Sequence, residues 1–223
     1  VQRAARALHK QVQEVNLIVC HLGGGCSASA ITHGQPIATT MGYTPMDGLM
    51  MVTRSGAVDP GILIQRLRQT ECSLDDLEYD LTRCSGLLGV SGVSADVREL
   101  TLLAAQGHSQ AHIAIEMFIE RVRSQIGAYA VLLDRVDAVC FTGGIGENSS
   151  DIVHRITNGL KILGIRPLAD SHLPFDRDSE VRDIADPESN SRLFVIRCRE
   201  DIMIAAEVQS LLSGQQQLSP LSH

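Results

Sequence analysis

The chain has 223 residues, of which 44% are hydrophobic and 20% are charged, proportions typical of a folded globular protein. No apolar run approaches the roughly 20 residues that a membrane-spanning helix needs. The net charge is −7 and only Lys10 and Lys161 are lysines, so the sequence lacks the basic stripe that contacts nucleic acid. The composition therefore predicts a protein that binds neither a membrane nor a nucleic acid.

The six cysteines form no CxxC pair and have no regular spacing. Cys20 and Cys140 end apolar, strand-like runs, where a free cysteine behaves as a small hydrophobic residue. This distribution favours reduced thiols over a disulfide framework or a zinc site. We therefore expect a cytoplasmic protein.

The first part of the chain predicts one helix followed by an antiparallel meander. Hydrophobic spacing predicts a helix at about 2–13, and apolar runs predict strands at 16–20, 27–32 and 36–40. Three consecutive glycines, Gly23 to Gly25, join the first two strands, although a tight hairpin needs only one or two. Because a large anion can closely approach the bare backbone of such a loop, we expect it to contact phosphate.

The rest of the chain alternates helices and strands. Asp59 and Ser73 are expected N-caps, because their side-chain oxygens can accept hydrogen bonds from amides of the first helical turn. Residues 87–92 are expected to form a loop or a short buried segment. The remaining predicted elements are helices at about 96–106 and 109–133, a strand at 136–141, a helix after Asn148, a strand at 192–196 and a helix at 200–212. This alternation predicts an α/β fold.

A second glycine-rich segment, Thr142 to Asn148, is predicted as a loop between a strand and a helix. A simple strand-to-helix turn explains one of its glycines and not three, so its amides are candidates for holding an anion or a nucleotide's sugar edge. Neither glycine segment fits GxxxxGK[ST] or GxGxxG, which excludes a P-loop and a Rossmann nucleotide site. Phosphate binding would then require the strand–turn–strand loop together with an arginine.

Three single residues each have both a structural and a functional interpretation. Arg54 can offer a planar, bidentate fork to a carboxylate or phosphoryl oxygen, yet a lone arginine is more often a solvated surface residue. His21, where a strand meets the first glycine loop, is by itself more often structural than functional. Glu200 begins the last predicted helix, where it either complements the helix dipole or reaches a metal ion.

Five motifs in a fixed order resemble the acetate/propionate kinase family of the actin-like ATPase and sugar-kinase superfamily. They are HLGGGCSASAI, TRSGAVDP, SGLLGVSGVSADVR, FTGGIGENS and a late Glu-Asp pair before a helix. The resemblance covers about residues 1–212. It implies an α/β, actin-like (ribonuclease H-like) ATPase domain with a mixed sheet flanked by helices. It also implies a homodimer that uses ATP/ADP and Mg²⁺ to convert a short-chain carboxylate, acetate or propionate, reversibly to an acyl phosphate.

The same resemblance implies roles for individual residues. Arg54 corresponds to the catalytic arginine that steadies the acyl group and the transition-state charge, and His21 to a catalytic residue near the transferring phosphoryl group. Glu200 corresponds to the magnesium-associated glutamate. The residues implied to bind the nucleotide are His21, Leu22, Gly23, Gly24, Gly25, Asp96, Val97, Arg98, Gly144, Ile145, Gly146, Glu147 and Asn148.

The chain departs from the family's pattern at three places. Gly24 replaces an asparagine of the first loop, Val52 replaces a glycine before Arg54, and the run 197–199 (Arg-Cys-Arg) replaces Pro-Thr-Asn before Glu200. These changes remove a side-chain contact to phosphate, crowd the arginine segment and add positive charge beside the expected metal carboxylate.

The resemblance also implies a domain organisation in which the family's N-terminal half, with its Asn-x-Gly-Ser-Ser-Ser motif, is absent. Residues 1–14 are expected to be a connecting helix, 15–213 a C-terminal nucleotide-binding domain and 214–223 a disordered tail. Two main functions are therefore open: a carboxylate kinase that needs the absent half, or a non-catalytic remnant that binds nucleotide or dimerises. A weaker third is an actin-like ATPase whose glycine loops serve a conformational switch.

Overall fold

The computed structural model describes residues 1–69, 72–168 and 179–199, together with the single positions 205, 208, 209 and 211. The strands within these residues are β1 (Leu17–Leu22), β2 (Cys26–Thr32), β3 (Gln35–Thr39), β4 (Ala138–Thr142), β5 (Val181–Asp183) and β6 (Arg192–Ile196). The helices are α1 (Gln2–Ala7), α2 (Pro60–Gln69), α3 (Leu74–Arg83), α4 (Gly86–Ser91), α5 (Val97–Ala105), α6 (Ser109–Leu132), α7 (Gly143–Asn148) and α8 (Ser150–Asn158).

The six described strands form one mixed sheet in the order β3-β2-β1-β4-β6-β5. β1, β2 and β3 are an antiparallel meander, as predicted, while β4 and β6 continue the sheet parallel to β1. The predicted α/β class is confirmed. Because β1, β4 and β6 run in the same direction, the segments that follow them meet at one edge of the sheet.

Successive residues of the central strands pack against opposite faces of the sheet, as the pleat requires. Ile18, Cys20 and Leu22 of β1 join a large core that includes residues of α4, α5, α6 and α8. Leu17 instead joins Ala4 and Ala5 of α1 in a smaller core on the other face. Helices therefore flank both faces of the sheet.

The longest helix confirms the sequence prediction in both extent and orientation. α6 runs from Ser109 to Leu132, and its buried stripe contains Ile115, Phe118, Ile119, Val122, Ile126 and Tyr129. These residues recur at helical spacing and pack into the larger core. Burying each such side chain contributes about 1.5–3 kcal/mol, so α6 is a main source of the fold's stability.

The prediction of one helix over 2–13 is wrong in its extent. α1 ends at Ala7, because His9 has a φ of +54°, a left-handed conformation that ends the helical hydrogen-bonding pattern. A separate 3₁₀ turn follows at Val12–Glu14. Since Ala4 and Ala5 are buried against the sheet, α1 is packed on this domain.

Of the two alternatives predicted for 87–92, the loop is wrong and the short buried segment is partly confirmed, because the stretch is the short helix α4 and its Leu87 and Ser91 are buried. Its start is held by the neighbouring chain, since the amide of Leu87 donates to Met51 O at 2.9 Å and that of Leu88 to Val52 O at 3.0 Å. Local composition could not reveal this support from a distant segment. The α2 and α3 starts agree with prediction: Asp59 Oδ1 accepts from Gly61 N at 2.8 Å, and Ser73 forms a capping box with Asp76.

The predicted helix at 200–212 and the predicted disordered tail at 214–223 lie outside the described residues, apart from the single positions named above. The predicted strand at 192–196 is confirmed as β6. Across the described ranges, no helix is both long and apolar enough to cross a membrane.

Candidate functional site

The first glycine loop joins β1 to β2 at the edge of the sheet where β4 also ends. Gly23 N donates to Gly25 O at 3.1 Å, which closes the turn between two antiparallel strands, as predicted. A Cβ built on Gly23 would lie 3.6 Å from His21 Nε2 and 3.7 Å from Gly144 N. The His21 ring and the two glycine segments, which are far apart in sequence, therefore lie close together.

The second glycine segment differs from its predicted form, because it is itself the helix α7 rather than a loop before a helix. Gly143 has a φ of +82°, and a Cβ there would lie 2.7 Å from Leu22 O and 3.2 Å from His21 Cε1. Only glycine fits such a position, since both the backbone conformation and the space exclude a side chain. This tight fit allows α7 to begin directly against β1 and His21.

A cavity of about 510 Å³ lies between the two glycine segments and the start of α5. It brings together most of the residues implied to bind the nucleotide, although they come from three separate motifs. Its lining is formed by Gly23, Gly24, Val52, Ala95, Asp96, Val97, Arg98, Gly144, Ile145, Asn148 and Ser149. Bare backbone on one wall and charged side chains on another make the cavity suited to a polar, anionic ligand.

Asp96 and Arg98 form the charged wall of this cavity. Asp96 caps α5 by accepting from Arg98 N at 2.8 Å, and its carboxylate also pairs with the Arg98 guanidinium at 2.6 Å. These hydrogen bonds from Arg98 lower the pKa of Asp96 to about 2, so Asp96 is anionic at neutral pH. A ligand phosphate would therefore compete with the Asp96 carboxylate for the guanidinium.

A second cavity of about 470 Å³ shares one lining residue, Gly24, with the first. Its lining is formed by Gly24, Thr44, Pro45, Met46, Thr53, Arg54, Glu78, Thr82 and Arg83. Arg54 Nη1 donates to Pro45 O at 2.8 Å, and a Cβ built on Gly25 would lie only 3.4 Å from Arg54 Nη2. The guanidinium thus lies beside the first glycine loop, next to the residue that lines both cavities.

The segment that carries Arg54 is held by backbone hydrogen bonds to α3 and to the start of α4. Ser55 N donates to Leu81 O at 3.0 Å, and Ser85 N donates to Thr53 O at 2.9 Å. Val52, which replaces a glycine of the family pattern, is partly buried and lines the larger cavity. The position of Arg54 is consequently set by the surrounding chain more than by its own neighbours in sequence.

Several predicted nucleotide-binding residues do not line either cavity. Leu22 is fully buried in the core, and a Cβ built on Gly146 would meet Phe141 at 3.4 Å, so both positions serve packing. Glu147 directs its carboxylate to backbone amides of Gly143 and Cys198. A nucleotide contact for these three residues stays a prediction.

The predicted metal ligand, Glu200, lies outside the described residues. The part of the chain that the structure does describe contains no group of three or more His, Cys, Asp or Glu side chains placed to hold a metal ion. Nearby, Cys198 N is fixed by a 2.8 Å hydrogen bond to Glu147. The role of Glu200 therefore stays a prediction that rests on the family resemblance.

Cavity residues that the sequence analysis missed come mainly from the loop after β3 and from α3. Pro45 contributes its carbonyl to Arg54, and Glu78 and Thr82 line the smaller cavity. The residue type does not show that a backbone carbonyl such as that of Pro45 is an acceptor. A glutamate on a helix, such as Glu78, is usually a solvated surface charge. The one available signal was the conspicuous Thr44-Pro45 turn shortly before Arg54.

Two buried thiols lie close to the first glycine loop. Cys26 Sγ donates to Gly23 O at 3.4 Å, and burial raises the pKa of the Cys26 thiol to about 11. Burial also raises the pKa of Cys20 above its usual range. Both groups are neutral at physiological pH and support the loop as small packing residues rather than as nucleophiles.

The fold and the site together define a class of protein. An antiparallel meander continued by parallel strands, with glycine segments meeting at their ends, is the arrangement of actin-like (ribonuclease H-like) ATPase domains. A profile of the acetokinase family matches residues 1–206, and the chain belongs to that family.

Known relatives agree with this assignment. An acetate kinase from Synechococcus sp. is 47% identical over 216 residues, which cover 96% of this chain and 52% of that protein. The crystal structure of the Porphyromonas gingivalis acetate kinase superposes with a TM-score of 0.88 at 32% identity, covering 95% of this chain and 52% of that one. A propionate kinase from Francisella tularensis subsp. tularensis SCHU S4 gives a TM-score of 0.83 at 39% identity, with coverages of 92% and 51%.

The chain spans about half the length of the curated relatives it matches. The assignment to the C-terminal half and the predicted domain boundaries stay predictions. The activity of the whole-length relatives likewise becomes a proposal for this chain.

Proposed function

We propose that this chain forms the nucleotide-side wall of a kinase that transfers a phosphoryl group from ATP to a short-chain carboxylate, acetate or propionate. The observation that carries the proposal is the position of Gly24, which lines both cavities beside Arg54. ATP would occupy the larger cavity and the carboxylate the smaller one. The phosphoryl group would then cross at the first glycine loop.

The chemistry of these residues suits direct in-line transfer. In phosphoryl transfer the protein mainly positions the reactants and neutralises charge. A carboxylate oxygen is already ionised at neutral pH and needs no strong base, so it can attack the γ-phosphorus while the bond to ADP breaks. The backbone of Gly24 and Gly25, the Arg54 guanidinium and the nearby His21 ring are the candidate donors at this point.

Magnesium bound with ATP would neutralise phosphate charge. Mg²⁺ in such sites usually keeps several waters and takes only one or two protein carboxylates. A single carboxylate therefore fits the donor set, and we assign that place to Glu200 by family resemblance. Asp96 is a poorer candidate, because its carboxylate is paired with Arg98.

Because of the family resemblance, we also propose a cytoplasmic location.

Titration of the chain with ATP and Mg²⁺ in a calorimeter tests the nucleotide site. Saturable binding is expected for the unaltered chain, and Gly24→Leu should weaken it at least tenfold, because the added side chain would occupy space in the cavity that Gly24 lines. Gly127→Leu on α6 is a matched control, because a Cβ at either glycine meets nothing within 4 Å. Absence of ATP binding by the unaltered chain would refute the site.

Hydroxylamine trapping of acyl phosphate tests the transfer step. Acyl hydroxamate formed from acetate or propionate establishes the kinase, and Arg54→Ala should then lower turnover by about 10²–10³ with little change in ATP affinity. Turnover unaffected by Arg54→Ala would contradict the role given to Arg54. ATP binding without hydroxamate favours the second candidate, a nucleotide-binding part that does not catalyse alone.

We further propose that a second copy of this chain covers the hairpin of α2 and α3. None of residues 60–68 and 74–83 is buried, and Leu74 and Tyr79 are 72% and 61% exposed. Helices this short need packing to be stable in water. Arg68 in the last turn of α2 and Asp75 in the first turn of α3 have opposite charge. Across a two-fold axis, Arg68 of one copy can therefore pair with Asp75 of the other, and the reverse.

Light scattering after size-exclusion chromatography tests this dimer. The unaltered chain should have twice the monomer mass, and Leu74→Glu should shift it to the monomer. Ile162→Glu, at a site 94% exposed on a distant turn, is the control and should leave the mass unchanged. A monomeric unaltered chain, or a Leu74→Glu variant that stays dimeric, would overturn the proposal.

A further inference from the structure

The turn that joins α4 to α5 is closed by the hydroxyl of a buried serine. Ser91 is 3% exposed, and its Oγ donates to Ser94 O at 3.0 Å, with Leu88 O as a longer acceptor at 3.3 Å. The same oxygen accepts from Val93 N and Ser94 N, both at 3.3 Å. The chain that leaves α4 is therefore fastened back to the last residue of that helix.

A second buried serine ties this turn to the first turn of α5. Ser94 is 8% exposed, and its Oγ accepts from Asp96 N at 3.0 Å and donates to Glu99 Oε2 at 2.7 Å. A hydroxyl can accept and donate at the same time, and a hydrogen bond to an ionised carboxylate is short and charge-assisted. The Ser94 hydroxyl thus connects the N-cap residue of α5 to a side chain on the first turn of that helix.

The residues that this hydroxyl holds are those of the cavity wall. Residues 95–98 line the larger cavity, whereas Ser94 and Glu99 do not. The side chains of Asp96 and Arg98 are 42% and 84% exposed, so packing contributes little to their placement. Their position consequently depends on hydrogen bonds at the start of α5.

We propose that Ser94 is a positioning residue, which holds the start of α5, and with it the Asp96 and Arg98 side chains, at the wall of the larger cavity. This inference rests on the proposed function, in which ATP occupies that cavity. The single hydroxyl proton of Ser94 is donated to Glu99, so Ser94 has no donor left for a phosphate. Its effect on ATP is therefore exerted through the residues that follow it.

Calorimetric titration with ATP and Mg²⁺ tests this role in a graded series. Ser94→Ala removes both hydrogen bonds of the hydroxyl and should weaken ATP binding by about fivefold or more. Glu99→Ala removes one of the two and should weaken binding by about two- to threefold. Glu99→Gln should bind ATP as the unaltered chain does, because its amide oxygen can accept from the same hydroxyl.

Ser191→Ala is the matched control. Ser191 is 6% exposed and its Oγ donates to Val136 O at 2.7 Å, but it precedes β6 and so lies at the opposite edge of the sheet from the cavity. This variant should be less stable in urea unfolding and still bind ATP within twofold of the unaltered chain. The comparison separates the loss of a buried hydrogen bond from a displacement of the cavity wall.

Hydrogen exchange of the Asp96 amide provides a second readout, because this amide donates to the Ser94 hydroxyl. Exchange should be faster in Ser94→Ala than in Ser191→Ala, and equal rates would contradict the proposed link. An ATP affinity of Ser94→Ala within twofold of the unaltered chain would overturn the inference, as would an equal loss of affinity in Ser191→Ala.

Glu99→Ala keeps the inference testable if Ser94→Ala does not fold, since it removes only an exposed side chain. An ATP affinity of Glu99→Ala equal to that of Glu99→Gln would then overturn the inference. An unaltered chain that binds no ATP refutes the proposed function itself, which distinguishes the two failures.

Discussion

Gly86 supports the segment that carries Arg54, and its replacement by alanine is a direct perturbation of that support. Gly86 has a φ of +61°, and a Cβ built on it would lie 2.2 Å from Met51 O and 2.8 Å from Arg54 O. Both contacts are backbone carbonyls, which have no rotamer to adopt. Gly86→Ala must therefore displace either the start of α4 or the Arg54 segment.

Gly92, at the other end of α4, is a matched control. Its φ is +69°, yet a Cβ built there meets nothing within 4 Å. A left-handed conformation costs an L-residue about 1–2 kcal/mol, and alanine recovers about 0.4–1 kcal/mol by restricting the unfolded chain. Overpacking adds about 1–3 kcal/mol at Gly86 only. We expect Gly92→Ala to cost about 1 kcal/mol and Gly86→Ala about 2–4 kcal/mol of unfolding free energy.

Urea unfolding followed by circular dichroism measures both values. The informative quantity is the difference between the two variants, since the cost of positive φ is common to both. Equal destabilisation would show that the Met51 and Arg54 carbonyls do not confine Gly86. The account of how Arg54 is held would then be wrong.

Three further predictions concern the glycine loop, the charged wall and the thiols. A Cβ on Gly24 meets nothing within 4 Å, so Gly24→Asn should change stability by no more than about 0.5 kcal/mol and tighten ATP binding in calorimetry; weaker binding would contradict this. Arg98 lowers the pKa of Asp96 from 3.8 to about 2, so the stabilisation by this carboxylate is complete above pH 3.8 and is lost as pH falls towards 2. Asp96→Asn should remove this pH dependence of the unfolding free energy, which amounts to less than about 1 kcal/mol because the pair is exposed. Unfolding free energies that depend on pH identically in the variant and the unaltered chain would disprove it. Iodoacetamide should label Cys84 in the native chain and spare Cys140, whose pKa burial raises to about 12; rapid labelling of Cys140 would refute its burial.

Secondary-structure elements that depend on interactions between residues close in sequence were predicted well. The stripe of α6 follows the helical period, and the caps at Asp59 and Ser73 involve residues two or three positions away. The meander was predictable from apolar runs separated by turn residues. These features depend on interactions within one turn of helix or one hairpin, so local patterns are enough to indicate them.

Elements whose shape depends on distant contacts were predicted less well. α1 ends at Ala7, because the left-handed His9 stops the helix although the apolar period continues, and α4 forms where Met51 and Val52 supply acceptors from another segment. The apolar side chains of α2 and α3, such as Ile62 and Leu74, are also exposed, although side chains of this kind are most often buried. Whether these segments are helical or buried therefore depends on their contacts with distant parts of the chain.

The candidate site divides in the same way. The sequence by itself determined the α/β class, the family and the chemical character of the site: glycine backbone for phosphate and an arginine for a carboxylate or phosphoryl oxygen. Only the tertiary structure decided that Gly144 meets Gly23, that Arg54 lies beside Gly25 and that Glu147 faces Cys198. The physical reason is the strand order. Because β1, β4 and β6 pair in parallel, the segments that follow these strands lie side by side, although they are far apart in sequence.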